Sequence, residues 1–228
     1  MIADYVVNFN KNLAYHGKLP IGYKVMNPFI DNPETFSVMN QFYQKFYNDN
    51  HQRKFIIGIN PSRHGAGVTG VPFTDTKRLE SICGIKMYSA HTHEVSSVFL
   101  YDMIQSYGGV KHFYSEFYIN SPFPLAILKK SPNGTWLNAN YYDDKTLFLM
   151  LKDYMVESLK KHIKVGLDCS RVFVLGTKNA QFILKINQEA KLFKHIEVLE
   201  HPRYIQQYKS KEKAFFIDKY ITTLSGSS

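Results

Sequence analysis

The chain has 228 residues, 44% of them hydrophobic and 15% aromatic, with a formal net charge of +9 and a pI near 9.3. That length gives one domain able to bury a sizeable core, and the composition excludes intrinsic disorder. No apolar run approaches ~20 residues, which leaves no membrane-spanning helix, and the only cysteines, Cys83 and Cys169, stand outside any CxxC pattern, against a disulfide framework or a cysteine-held cluster.

In chain order, residues 1–30 mix Tyr, Pro and Gly with little period, and Met1 to Asn12 lacks the basic start and apolar core of a secretory signal. Pro33 to Tyr47 carries Phe36, Met39, Phe42, Tyr43 and Phe46 at helical spacing and predicts an amphipathic helix. Phe55 to Ile59 predicts the first central strand, broken at Gly58-Ile59-Asn60-Pro61 into a glycine-rich loop that closes on Val71-Pro72-Phe73. Asp75 is a candidate cap for a helix through Ile82, and Val98 to Ser106 predicts another before Gly108-Gly109. Phe113 to Ile119 predicts a second strand ending at Asn120, and Ser131 to Trp136 a loop. Then come a long helix over Asp143–Ile163, a strand over Arg171–Leu175 and a helix from Thr177 to about Asn187. A fourth strand, His195–Leu199, ends before His201-Pro202, and Lys211–Leu224 closes the chain as a helix. Strands alternating with helices predict an α/β fold, a three-layer αβα arrangement around a mostly parallel four-stranded sheet. It forms a single domain over 1–228, with 1–50 as an N-terminal decoration and first helix.

Three strands end in a polar residue beside a helix breaker: Asn60-Pro61, Asn120-Ser121-Pro122 and His201-Pro202. Taken singly, each reads blandly: Asn before Pro as a turn former, a lone His as a satisfied surface or core group, Phe73 as core. In a parallel sheet these ends share one edge, where such folds bind ligands. Two amides, an imidazole and a phenyl ring suit a nucleobase: the ring for stacking, an Asn amide for donor and acceptor at the base edge. The loop has no Gly-Lys-Ser/Thr, which argues against a triphosphate.

These residues carry a resemblance. Gly58-Ile59-Asn60-Pro61 followed by Thr69-Gly70-Val71-Pro72-Phe73 resembles the first motif of the uracil-DNA glycosylase superfamily, most closely its single-strand-selective monofunctional branch. Glu94-Val95-Ser96, Phe117-Tyr118-Ile119-Asn120 and Leu199-Glu200-His201-Pro202 are similar to that branch's later segments, in the same order. The resemblance implies catalytic roles for Asn60, which positions the attacking water, and His201, which stabilises the leaving base. It implies a base pocket of Gly58, Ile59, Ser62, Gly70, Phe73 and Asn120, with Phe73 stacking on the base and Asn120 reading its N3 and O4 edge. Arg203, Tyr204 and Gln206 fall in the segment that enters the duplex, and Lys209 and Lys211, just beyond it, are expected to contact phosphates. The implied partner is uracil-containing DNA, single- or double-stranded, bound by a monomer without a cofactor or metal. A non-catalytic nucleic-acid-binding module and a glycosylase for a deaminated purine are the competing classes.

The sequence departs from the branch at Ser62, where the branch has Gly. A side chain there is expected to crowd substituents at C5 of the base. His91-Thr92-His93-Glu94 is too sparse to predict a metal site. Lysines cluster at Lys129-Lys130, Lys160–Lys164 and Lys209–Lys213, and the basic balance fits a polyanion. Two isolated thiols fit a reducing compartment, so a cytoplasmic location, nuclear in a eukaryote, is expected.

Overall fold

The structure is a computed structural model that describes residues 1–226. Its centre is a four-stranded parallel sheet, in the order β3–β2–β6–β7. The strands are β2 (Lys54–Ile57), β3 (Phe117–Asn120), β6 (Asp168–Leu175) and β7 (His195–Leu199). The chain moves from β2 outward to β3, then crosses back to add β6 and β7 on the other side. The switch point therefore lies between β2 and β6, the position at which such sheets open a crevice beyond their carboxyl ends. Helices flank the sheet, so the expected αβα arrangement holds. Its core includes Phe55, Ile57, Phe117, Ile119, Phe173 and Leu175, all at most 3% exposed.

A second sheet was not expected. β1 (Tyr23–Met26), β4 (Ala126–Lys130) and β5 (Trp136–Ala139) form an antiparallel layer in the order β1–β4–β5. The predicted loop over Ser131–Trp136 is the turn of the β4–β5 hairpin, tightened by Gly134 at φ +85° and a hydrogen bond from Ser131 N to Thr135 O. Residues 1–30 also contain a helix, α1 (Ile2–Lys11), which buries Ile2, Ala3 and Val6 and packs on α3 (Pro33–Phe46). Between β1 and α3, a short helix α2 (Pro28–Asp31) is capped by Asn27.

The segment predicted as a strand from Phe113 starts instead as helix α7 (Gly109–Glu116), which buries Phe113 and Tyr114. Only Phe117 onward is extended. The two preceding helices match their predicted positions more nearly: α5 (Thr76–Ser81) follows one turn of helix, α4 (Ala66–Thr69), and α6 (Val95–Ser106) begins earlier than predicted. α8 (Lys145–Ile163) is capped by Asp144 and α9 (Thr177–Ala190) starts directly after Gly176. After β7 the chain forms α10 (Pro202–Tyr208) and, past a short 3-10 turn, α11 (Lys213–Ser225). α10 has a Pro at its first position and His201 as its cap, both favourable there.

Candidate active site

The carboxyl ends of the four strands open into a cleft of about 840 Å³. Gly58, Ile59, Asn60, Ser62, Gly70, Phe73, Asn120, His201, Arg203 and Tyr204 all line it. Gln206, Lys209 and Lys211 do not; α10 instead turns Gln207 and Tyr208 toward the cleft. Gln206 is half-buried with an unbonded Oε1, and Lys209 pairs with Glu212 at 2.8 Å.

Close backbone approach explains the glycines. Gly58 N donates to Asn120 O at 2.8 Å, and a Cβ on Gly58 would lie 2.9 Å from the Phe73 ring. Gly70 ends α4 in the left-handed region at φ +70°. Phe73 itself is held at φ +52°, a conformation costly for a residue with a Cβ. Thr69 fixes it there: its hydroxyl donates to Thr74 O at 2.6 Å and accepts from Val71 N at 3.2 Å. The ring that results faces His201, with centroids 5.6 Å apart and planes tilted by 46°.

Asn60 is anchored by its whole amide. Nδ2 donates to Ala139 O at 3.0 Å and to Pro61 O at 3.3 Å, and Oδ1 accepts from Tyr141 N at 3.1 Å. One Oδ1 lone pair remains free. The β4–β5 hairpin and the turn after it thus hold the residue in place. Asn179 does the same for the switch point: its Nδ2 donates to Gly58 O and Leu175 O, each at 3.1 Å, and its Oδ1 accepts from Tyr141 OH at 2.5 Å. Carbonyls orphaned where two strands part need such a donor. No sequence motif marked Asn179, because a buried Asn on a helix has no spacing signal of its own.

His201 has a fixed tautomer. Nδ1 accepts from Arg203 N at 3.1 Å, which caps α10, so the proton sits on Nε2. Burial, with the Arg203 charge second, pulls its pKa down to about 4, and the ring is neutral at physiological pH.

Asp75 is the helix cap that its position predicted, and its carboxylate is fully engaged. It caps α5 at Arg78 N (2.8 Å), pairs with the Arg78 guanidinium (3.0 Å) and accepts from Glu94 N (2.7 Å) and Ser97 Oγ (3.1 Å). Ser62 Oγ donates to Glu94 Oε1 and accepts from Gly65 N at 3.1 Å. Its hydroxyl is therefore turned along its own loop. A Cβ on Gly65 would collide with the Glu94 carboxyl, so that glycine makes room for the latch. Burial above all pushes the Glu94 pKa up to about 7. In the sequence Glu94 stands out only as part of a segment.

Three groups set an acid limb of stability. His201, and His162 with a pKa of about 3, both lowered mainly by burial, take up protons in the unfolded chain below the ordinary value of 6.5 but not in the fold. Stability is lost as pH falls through that range. Glu94 works in the opposite sense: the fold holds its proton up to about 7, so stability declines as pH rises from 4.5. Between pH 4.5 and 6.5 two histidines oppose one carboxyl, which leaves a net rise with pH of about one proton, ~1 kcal/mol per unit. Urea unfolding at stepped pH checks this. Glu94→Gln is expected to steepen the slope, and a flat profile from 4.5 to 6.5 would contradict it.

Comparison with known proteins agrees with this fold. The crystal structure of wild-type SMUG2 from Pedobacter heparinus is 46% identical in sequence, with a TM-score of 0.96 over 99% of this chain and 97% of that one. No curated protein matches the sequence. The profile of the Uracil DNA glycosylase superfamily matches residues 44–225, a span that contains β2 to β7 and each strand end that lines the cleft. With the profile covering most of the chain, this protein belongs to the uracil DNA glycosylase superfamily.

Proposed function

We propose that the chain is a monofunctional glycosylase that flips uracil out of DNA and hydrolyses its N-glycosidic bond, leaving an abasic site for base excision repair. What supports this most is the convergence of Phe73, Asn120, Asn60 and the Nε2–H of His201 in one cleft at the sheet's carboxyl edge. A ring for stacking, an amide for the base edge, a lone pair for water and a neutral donor are the parts base hydrolysis needs.

As the bond between C1′ and N1 breaks, its electron pair moves onto the base and builds negative charge at O2. The Nε2–H of His201 donates to that oxygen. The sugar develops oxocarbenium character, and a water accepted by the free lone pair of Asn60 Oδ1 adds to C1′. The proton released by that water balances the departing base anion. Asn60 is no general base, so rate rests on leaving-group stabilisation. Base extrusion costs a few kcal/mol from a duplex and less from a single strand.

Labelled oligonucleotides carrying uracil, 5-hydroxymethyluracil, hypoxanthine or xanthine test the reading. Strand cleavage is expected for uracil, and only after alkali. Among the described residues, Lys178 is the lysine that lines the cleft, its ammonium 4.8 Å from the centre of the Tyr142 ring. Cleavage before alkali would make that amine a Schiff-base former and end the monofunctional reading. The cleft volume of about 840 Å³ leaves room for a deaminated purine, the second reading, and the hypoxanthine and xanthine arms decide it. An oligonucleotide bound but never cut would leave only a binding module.

Affinity should fall steeply with salt, since cations on the DNA face release counterions from phosphates. Arg203, exposed at the mouth of the cleft, and Lys211, exposed beyond α10, are the groups to reverse. Exchanging both for Glu is expected to weaken binding to all sequences alike and to lower the salt slope by about one for each phosphate no longer neutralised. Salt-independent binding would argue against a phosphate-tracking surface.

A further inference from the structure

Behind Asn120 lies a chain of buried polar groups: Tyr118 belongs to the Phe117–Asn120 segment, and no motif marked His162. Tyr118 sits two residues earlier on β3, on the same face of the strand as Asn120. Asn120 Nδ2 donates to Tyr118 OH at 2.8 Å, and Tyr118 OH meets His162 Nδ1, from the last turn of α8, at 3.1 Å. Asn120 Oδ1 accepts from Ser121 N at 2.9 Å. Asn120 is 5% exposed, Tyr118 0% and His162 1%.

The direction of this chain follows from its ends. The Ser121 N–H can only donate, so the atom facing it must be the Asn120 oxygen. The Asn120 nitrogen then faces Tyr118 and donates to its hydroxyl. Tyr118 has one hydrogen, and His162 Nδ1 is the acceptor available to it. That requires a neutral ring protonated on Nε2, a buried nitrogen with no hydrogen-bond partner, so the relay ends on one unmet donor; the reverse direction would leave the Tyr118 hydrogen unmet instead. Burial supports this state at both sites: it keeps the tyrosine protonated and the histidine uncharged.

Resting on the reading of Asn120 as the base reader, we propose that Tyr118 and His162 are positioning residues that set base selectivity. The relay from His162 through Tyr118, with the Ser121 N–H, holds the Asn120 amide in one orientation. Its second Nδ2 hydrogen and second Oδ1 lone pair are left for the base, as one donor beside one acceptor. Uracil offers the complement, O4 as acceptor and N3–H as donor. Cytosine offers the reverse pattern at both atoms, and an amide free to turn over would match it. The relay adds to the Ser121 N–H in excluding that alternative: a turned amide sets its oxygen against a Tyr118 hydroxyl whose hydrogen is committed to His162, as well as its NH₂ against the Ser121 N–H.

The test compares affinities for single-stranded oligonucleotides carrying uncleavable 2′-fluoro uridine, 2′-fluoro cytidine or an abasic analogue. Tyr118→Phe and His162→Phe are each expected to lower the uridine-to-cytidine ratio about ten-fold with abasic binding unchanged. His162→Asn, whose Oδ1 restores an acceptor near the place of Nδ1, should return the ratio close to the wild-type value. Equal losses on all three probes would make the pair merely structural, and an unchanged ratio would overturn the proposal. A His162→Asn ratio as low as that of His162→Phe would do the same. Nitrogen NMR of the wild-type protein tests the relay without any variant: His162 should be protonated on Nε2, and an Nδ1-protonated ring contradicts it. Asn120→Ala separates the two levels. If it leaves the ratio unchanged, Asn120 is not the base reader; if it abolishes the ratio and Tyr118→Phe does not alter it, only the relay fails.

Discussion

Replacing His201 with Ala is expected to lower turnover on a uracil-containing oligonucleotide by about 10²–10³ and to leave DNA affinity nearly intact, the scale of losing one donor to a developing oxyanion. The imidazole has two jobs, and they use different nitrogens. Nδ1 caps α10 by accepting from Arg203 N. Nε2–H is free for the leaving base. His201→Ala removes both, and the lost cap alone destabilises the fold by about 1 kcal/mol. His201→Asn keeps a good capping acceptor but withdraws the donor from the ring's outer position. It should recover most of the lost stability, measured as Tm, and little of the lost turnover. Recovery of both would reduce His201 to a helix cap. Because the ring is neutral with a pKa of about 4, single-turnover rates should also be level across neutral pH and fall only on the acid side.

The sheet that carries this site was legible because its strands are short, apolar and punctuated. Phe55–Ile57, Val172–Leu175 and His195–Leu199 each run into a glycine or a His-Pro, and local signals of that kind survive in a single sequence. The N-terminal elements were not legible. The inner face of α1 is Ile2, Ala3, Val6 and Asn10, in which Ala and Asn weaken the apolar stripe, and the helix depends on packing against α3. β1 is extended because it pairs with β4 about a hundred residues later, from Tyr23↔Lys129 to Met26↔Ala126, and no local pattern encodes a distant partner. Phe113–Glu116 is aromatic enough to read as strand, yet the helix of which it is part buries two of its rings. Short apolar runs do not separate the two states.

The candidate site divides in the same way. Residues at strand ends and in the glycine loop could be read from breakers and spacing. The groups that hold them could not. Asn179 ties β2 to β6, Glu94 latches Ser62, and Tyr118 with His162 backs Asn120. Asn179, Glu94 and His162 meet partners distant in sequence, and Tyr118, two residues from Asn120, takes its meaning from the distant His162. Ser62 shows the consequence: read alone it is bulk beside a base, and in the fold its hydroxyl joins Glu94 to Gly65.

Asn120→Asp gives the other large effect. The amide's two free positions match uracil at N3–H and O4, and a carboxylate at 120 accepts at both. It keeps the hydrogen bond from N3–H and sets an oxygen against O4, so a repulsion replaces the second hydrogen bond. Tyr118 changes as well, because its hydroxyl no longer receives a hydrogen from residue 120 and can donate to the new carboxylate in place of His162. Uracil excision, as kcat/KM, should fall by about 10²–10³, the combined effect of a missing hydrogen bond and an unpaired buried acceptor. Cytosine has a donor at N4 and an acceptor at N3, so a carboxyl protonated on one oxygen fits it. Any activity gained should therefore be toward cytosine, appear first on the acid side of neutral, and be absent from Asn120→Ala. Parallel assays of both variants on uracil and cytosine oligonucleotides decide the matter. If Asn120→Ala excises uracil in preference to cytosine as strongly as the wild type, the base is read by another group.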